Sequence, residues 1–188
     1  MRIWLAVLAV FALVGCGGPA PAPPLVSAEG LDSAPAAPQS LSYPAIGVEA
    51  PLAPTGLTDA GELAVPPLDR PEEVVYANWG PELVDRMPTV AASHVNGRSP
   101  EGAAIPGGFA RLAEAQPGDE FTITGTDGAE TRYVVTTVDT IDKDAFPTEQ
   151  VYADGPPGRA VLITCGGVID HAARSYEDNV ILSAEAVS

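Results

Sequence analysis

Cys165 lies in the run Val161-Leu162-Ile163-Thr164-Cys165-Gly166-Gly167 of a 188-residue chain that has two cysteines and two histidines. The other cysteine, Cys16, ends a short apolar N-terminal run and has a different fate, which leaves Cys165 without an intramolecular partner. A thiol becomes a nucleophile only as thiolate, and a neighbouring cation favours that form. Upstream, His94 stands in Ser93-His94-Val95-Asn96-Gly97. Imidazole titrates near neutral pH and can protonate a leaving amine. Downstream, Arg174 precedes Ser175-Tyr176-Glu177-Asp178-Asn179 and is the last basic residue. A guanidinium offers fixed donors that can hold a developing oxyanion. Thiol, imidazole and guanidinium together suit acyl transfer through a thioester. Each also has a plainer role: a buried structural cysteine, a turn histidine, a surface arginine paired with Glu177 or Asp178. His171 competes for the imidazole role from a solvated loop, and Arg98 competes for the guanidinium role. Arg159 opens the cysteine strand, about 20 Å from Cys165 at ~3.3 Å per residue, and is out of reach.

The elements that must position these groups are strands. Ala45–Ala50 reads as a first strand ended by Pro51, Gly61–Val65 as a short second, and Thr89–Val95 as a third. Glu120–Gly125 and Thr131–Val138 flank the turn Thr126-Asp127-Gly128-Ala129, a hairpin with β-branched arms. Arg159–Thr164 and Asn179–Ala184 read as the last two strands, so Cys165 falls at a strand end before two glycines. Val161, Ile163 and Cys165 share a face because side chains alternate along a strand. Only short helices fit, around Glu82–Arg86 and Gly108–Ala115. Many short strands separated by Pro- and Gly-rich turns make the chain mainly β, a barrel or sandwich. The lack of long amphipathic helices between strands excludes a doubly wound α/β fold.

Composition sets the compartment. Arg2 followed by the apolar run Ile3–Val14 is too short to span a bilayer, which takes about 18 apolar residues. It fits the core of a secretory signal. Leu13-Val14-Gly15-Cys16 resembles a lipoprotein cleavage box, so residues 1–15 read as a signal peptide and Cys16 as a lipidation site. Two or more acyl chains would anchor the protein stably, exported and on the outer face of the cytoplasmic membrane. Residues 16–40, rich in Pro and Ala, read as an extended tether. Residues 41–188 suffice for one domain with its own core. A formal net charge of -16, with Lys143 the single lysine, disfavours nucleic acid and anionic surfaces. The scattered acids lack metal-ligand spacing, and no cofactor is implied.

Several short motifs then fall in order: Ser93-His94-Val95, Phe109-Ala110-Arg111-Leu112, Pro117-Gly118-Asp119, Phe146-Pro147, Val151-Tyr152, Thr164-Cys165-Gly166-Gly167 and Arg174-Ser175-Tyr176-Glu177-Asp178-Asn179-Val180. This set resembles the class F sortases of actinobacteria, cysteine transpeptidases that attach proteins to bacterial surfaces. The likeness extends from about Ile46 to Ala184. It departs from the family at Ser93, where Gly often precedes the histidine, and in Tyr76-Ala77-Asn78-Trp79, a degenerate Trp-rich motif. At Asn179, many sortases carry the arginine that leads into the last strand. Sortases also usually use a plain membrane anchor. Papain-like peptidases place Cys before His, opposite to the order of His94 and Cys165, and L,D-transpeptidases place His close to Cys, whereas His94 and Cys165 are 71 residues apart (165 minus 94).

The resemblance implies a closed eight-stranded sortase-type β-barrel with short helices in its loops. It implies His94, Cys165 and Arg174 as the catalytic set. It implies a substrate groove lined by the 140–157 loop, with Ser93, Phe146, Pro147, Tyr152, Thr164 and Gly166 contacting substrate. The implied reaction cleaves an LPXTG-like signal on secreted proteins between Thr and Gly. The acyl group passes to an amine of a peptidoglycan precursor or pilin. The alternative is a catalytically silent surface lipoprotein that binds peptides.

Overall fold

Alternation decides which side of each strand meets the core. In the strand β9 (Arg159–Asp170), Ala160, Leu162 and Thr164 are buried in one direction, while Val161, Ile163 and Cys165 point the other way. A computed structural model describes residues 36–59, 61–80, 83–170 and 175–187, all within one compact unit, Ser33–Ser188. The signal segment, Cys16, most of the tether, His171 and Arg174 lie outside the described residues.

The other strands are β1 (Pro38–Tyr43), β2 (Val48–Thr55), β3 (Val74–Ala77), β4 (Thr89–Ala92), β5 (Asn96–Arg98), β6 (Ala104–Pro106), β7 (Glu120–Gly125), β8 (Glu130–Asp142) and β10 (Ser175–Val187). Eight of them close a barrel in the order β1-β2-β3-β4-β9-β10-β8-β7, and β5 pairs with β6 as a separate small sheet. The chain is thus mainly β, a closed eight-stranded barrel with short helices in its loops. Pairings are antiparallel except β2 with β3 and β4 with β9.

The interior is filled by Leu41, Tyr43, Phe109, Leu112, Phe121, Tyr133, Leu162 and Leu182 among others. Phe121 stacks on Tyr133 with centroids 5.1 Å apart and meets Tyr43 at 5.3 Å. Burying one such side chain contributes roughly 1.5–3 kcal/mol. A second apolar cluster lies on the outer face of β3, β4, β9 and β10, with Val75, Val90, Ala92, Val161 and Ile181. The β8–β9 loop covers it, burying Val151 of the four-residue helix α1 (Thr148–Val151).

Several expectations change. β1 begins at Pro38, inside the stretch read as tether. Pro44–Ile46 forms a 3-10 turn closed by Gly47 at φ 70, and β2 follows, running through Pro51 and Pro54. β1 pairs with β2 from Val48 to Pro51 and β3 pairs with it from Leu52 to Thr55, so the strand changes partner between its two prolines. Gly61–Val65 contributes a single bridge, Leu57 to Leu63, and β3 was not anticipated. Leu112–Glu114 is a 3-10 turn, and Leu83–Arg86 is a turn. The β7–β8 hairpin matches its sequence signal: Gly128 has φ 80 and Asp127 Oδ1 accepts from the Ala129 N–H at 2.9 Å.

Candidate active site

β4 and β9 run parallel in register, Thr89 beside Ala160 through Ala92 beside Ile163. The register continues past the end of β4. The Ser93 N–H donates to the Ile163 carbonyl at 3.3 Å, and Thr164 Oγ1 donates to the Ser93 carbonyl at 2.8 Å across a separation of 71. The same offset relates His94 to Cys165. Each lies one residue further along the chain, and by alternation along β9 Cys165 shares a face with Val161 and Ile163. Adjacent strands lie about 4.8 Å apart, so Ser93 and Thr164, which precede His94 and Cys165, are held side by side. Both are partly buried. On the other side of Cys165, β10 places Asn179 directly opposite in the antiparallel ladder.

Cys165 is not at the end of a strand. β9 continues to Asp170, and the register with β10 shifts between Tyr176 and Asp178. Gly167 adopts φ 75 there, and a Cβ on it would come within 1.9 Å of Asp178 Oδ2. The two glycines therefore make a bulge beside Cys165, which opens the strand locally while the hairpin persists.

Three residues expected to contact substrate face the barrel interior instead. Ser93 and Thr164 are each 4% exposed. Ser93 Oγ lies 2.7 Å from the Glu73 carbonyl and 3.1 Å from the Pro71 carbonyl, which share its single proton, and the Thr164 hydroxyl is spent on Ser93. Gly166 is buried, with space for a Cβ taken by Val180 at 2.6 Å. The reason is parity: each neighbours an outward residue, so its own side chain points inward. They hold β4 to β9 and to the β2–β3 loop. Phe146, Pro147 and Tyr152 lie on the β8–β9 loop as expected, partly buried. Phe146 and Tyr152 rings are 6.3 Å apart, and Trp79 meets Tyr152 edge-on at 5.8 Å. Burial raises the Tyr152 phenol pKa, and the Glu62 charge adds to the effect. The loop is pinned by Arg159, whose guanidinium donates to the Ala153 carbonyl, and by the Arg86–Asp154 ion pair.

The residue frame around His94 includes groups that motif reading missed. The Pro66 carbonyl lies 2.6 Å from His94 Nε2. Gly107, whose Cβ would lie 2.0 Å from the His94 carbonyl, lets the next turn close in, and the Phe109 N–H donates to that carbonyl at 3.1 Å. Asn96 Nδ2 donates to the Tyr176 hydroxyl at 2.6 Å and ties the histidine turn to β10. Arg98 is exposed and reaches Gly102 in its own hairpin at 3.4 Å. Among the described residues, no group of three His, Cys, Asp or Glu side chains could hold a metal ion.

By sequence, residues 41–187 match the sortase domain family. No curated protein sequence matches the chain. Among solved structures, sortase C1 of Streptococcus agalactiae is similar, with TM-score 0.54 and 15% identity over 80% of this chain and 67% of that one. A lid mutant of sortase A from Corynebacterium diphtheriae gives TM-score 0.54 and 19% identity over 80% and 70%. Sortase C of Streptococcus pneumoniae gives TM-score 0.55 and 17% identity over 80% and 68%. At these identities the likeness is one of fold.

Proposed function

Because this chain belongs to the sortase family, whose members are cysteine transpeptidases, we propose that it is a class F-type enzyme acting on an LPXTG-like sorting signal. The observation that supports this reading is the parallel register of β4 and β9, which pairs Ala92 with Ile163 and ties Thr164 to Ser93, the residues just before Cys165 and His94. In the proposed reaction the Cys165 thiolate attacks the threonine carbonyl of the signal. The Arg174 guanidinium donates to the oxyanion. The C–N bond to glycine breaks, and the His94 imidazolium gives its proton to the departing amine. The thioester left on Cys165 is resolved by an amine from a peptidoglycan precursor or a pilin, which returns a proton to His94. Phe146, Pro147 and Tyr152 on the covering loop contact the signal peptide. We further propose that Cys16 is lipidated after signal cleavage. Residues 17–35 would then act as a tether, holding the enzyme at the outer face of the cytoplasmic membrane. No metal or cofactor enters the reaction.

The test is incubation of the purified protein with an LPXTG peptide, followed by intact mass spectrometry. The expected result is an adduct of the peptide's N-terminal part on Cys165, released on adding an amine. Peptide binding without any adduct would instead support a silent binding module.

A further inference from the structure

We infer that the Pro66 carbonyl fixes the proton of the His94 ring on Nε2, so that Nδ1 is the nitrogen that exchanges a proton with substrate. This rests on the transpeptidase reading for its functional half only. A carbonyl accepts and cannot donate, so at 2.6 Å from Pro66 O the Nε2 atom must carry hydrogen. The neutral ring is thereby held in one tautomer, and in the imidazolium the movable proton is on Nδ1. On acylation the sulfur–carbon bond forms and the carbon–nitrogen bond breaks. The Nδ1 proton passes to the leaving amine, while Nε2–H stays on Pro66. On transfer the incoming amine gives its surplus proton back to Nδ1.

The carbonyl is aimed by covalent geometry. Proline fixes the φ of residue 66, and the proline at 67 restricts residue 66 to extended ψ. The segment carrying it is clamped on the histidine turn. The Leu68 carbonyl accepts from the Arg98 N–H at 2.9 Å, and the Pro71 carbonyl from the Gly108 N–H at 2.8 Å. A Cβ on Gly97 would lie 2.3 Å from Leu68 O, so backbone rests on backbone there. Pro66 is buried, whereas Pro67 is exposed. Replacing Pro67 therefore releases ψ66 with little packing lost.

The experiment is long-range nitrogen–proton NMR of the full chain, at a pH where the ring is neutral, beside single-turnover acylation by an LPXTG peptide. Wild type should show Nε2–H and an unprotonated Nδ1. Pro67→Gly should shift the ring toward mixed tautomers. It should also slow acylation about tenfold, a part of the roughly 10²–10⁴-fold that a positioned acid supplies, with KM little changed. Pro66→Ala keeps both the carbonyl and the constraint from Pro67, and should retain the wild-type tautomer. An Nδ1–H ring in wild type, or an unchanged tautomer in Pro67→Gly, overturns the inference. A wild-type ring with Nε2–H but no acylation removes the transpeptidase reading and the donor role with it, and leaves the hold on the ring standing.

Discussion

At the scale of single residues, Cys165 has Asn179 directly opposite it across the β10 ladder, and it follows Thr164, whose hydroxyl is bonded to the carbonyl of the residue before His94. Cys165→Ala should abolish the peptide adduct and leave the fold intact, because a small, partly buried side chain is lost. Retained cleavage, followed by mass spectrometry, would end the thioester mechanism. His94→Ala should cost roughly 10²–10⁴ in acylation rate. Arg174 and Arg98 are told apart by their lysine variants. Arg174→Lys should lose about 10²–10³ in rate, because a point-like ammonium cannot present planar donors to the oxyanion. Arg98→Lys should stay near wild type, since its guanidinium is exposed and reaches only its own hairpin. The reverse result in single-turnover assays would move the oxyanion role to Arg98. The thiol and the imidazole were legible in the sequence because their types are chemically distinctive and rare in this chain. Their alignment was not, since it depends on a parallel pairing of strands far apart in the chain, and no local pattern encodes that.

Between elements, Ser93 is the junction. Its hydroxyl serves two carbonyls of the β2–β3 loop, and its own carbonyl accepts from Thr164. Ser93→Ala should lower stability by about 1–3 kcal/mol, the cost of leaving buried acceptors unpaired. Peptide KM should change little, because the side chain faces the barrel interior. Thermal unfolding beside steady-state kinetics checks this; a large KM change with unchanged stability would restore Ser93 to the substrate. Alternation alone sets Thr164 on the face opposite to Cys165, and which of the two faces meets the barrel interior is decided by the fold. The bulge at Gly166-Gly167 was less accessible. Two glycines signal either a strand end or an irregularity within one, and the long pairing of β9 with β10 selects the second.

Across the whole molecule, the buried aromatic core links stability to alkaline pH. The Tyr43 phenol pKa is raised above its usual range, by burial first and then by its hydrogen bond to Asp119 and the charge there. Burial raises the Tyr133 pKa as well. A raised pKa means the folded state keeps a proton that the unfolded state releases. The contribution is therefore fully present below pH 10.0, the ordinary phenol value, and declines as pH rises past it. Each such tyrosine adds a slope of up to about 1.4 kcal/mol per pH unit. Tyr43→Phe should be less stable at neutral pH by about 1 kcal/mol for the lost hydrogen bond, with a shallower decline above pH 10. Urea unfolding between pH 8 and 11 measures both; equal slopes in the two proteins would refute the assignment.

The amino-acid sequence by itself determined the class of fold and the chemical types at the site. Strand periodicity, turn residues and rare reactive side chains are local properties, written in a few neighbouring residues each. The closure of eight strands, the parallel register of β4 with β9, the inward turn of Ser93 and Thr164, and the carbonyl at Nε2 were decided only in three dimensions. Each of these depends on which distant segments pair, and that choice is made by burial of two apolar faces at once: the barrel interior and the outer cluster beneath the β8–β9 loop. Burial is summed over the whole chain, so no short stretch of it reveals the outcome.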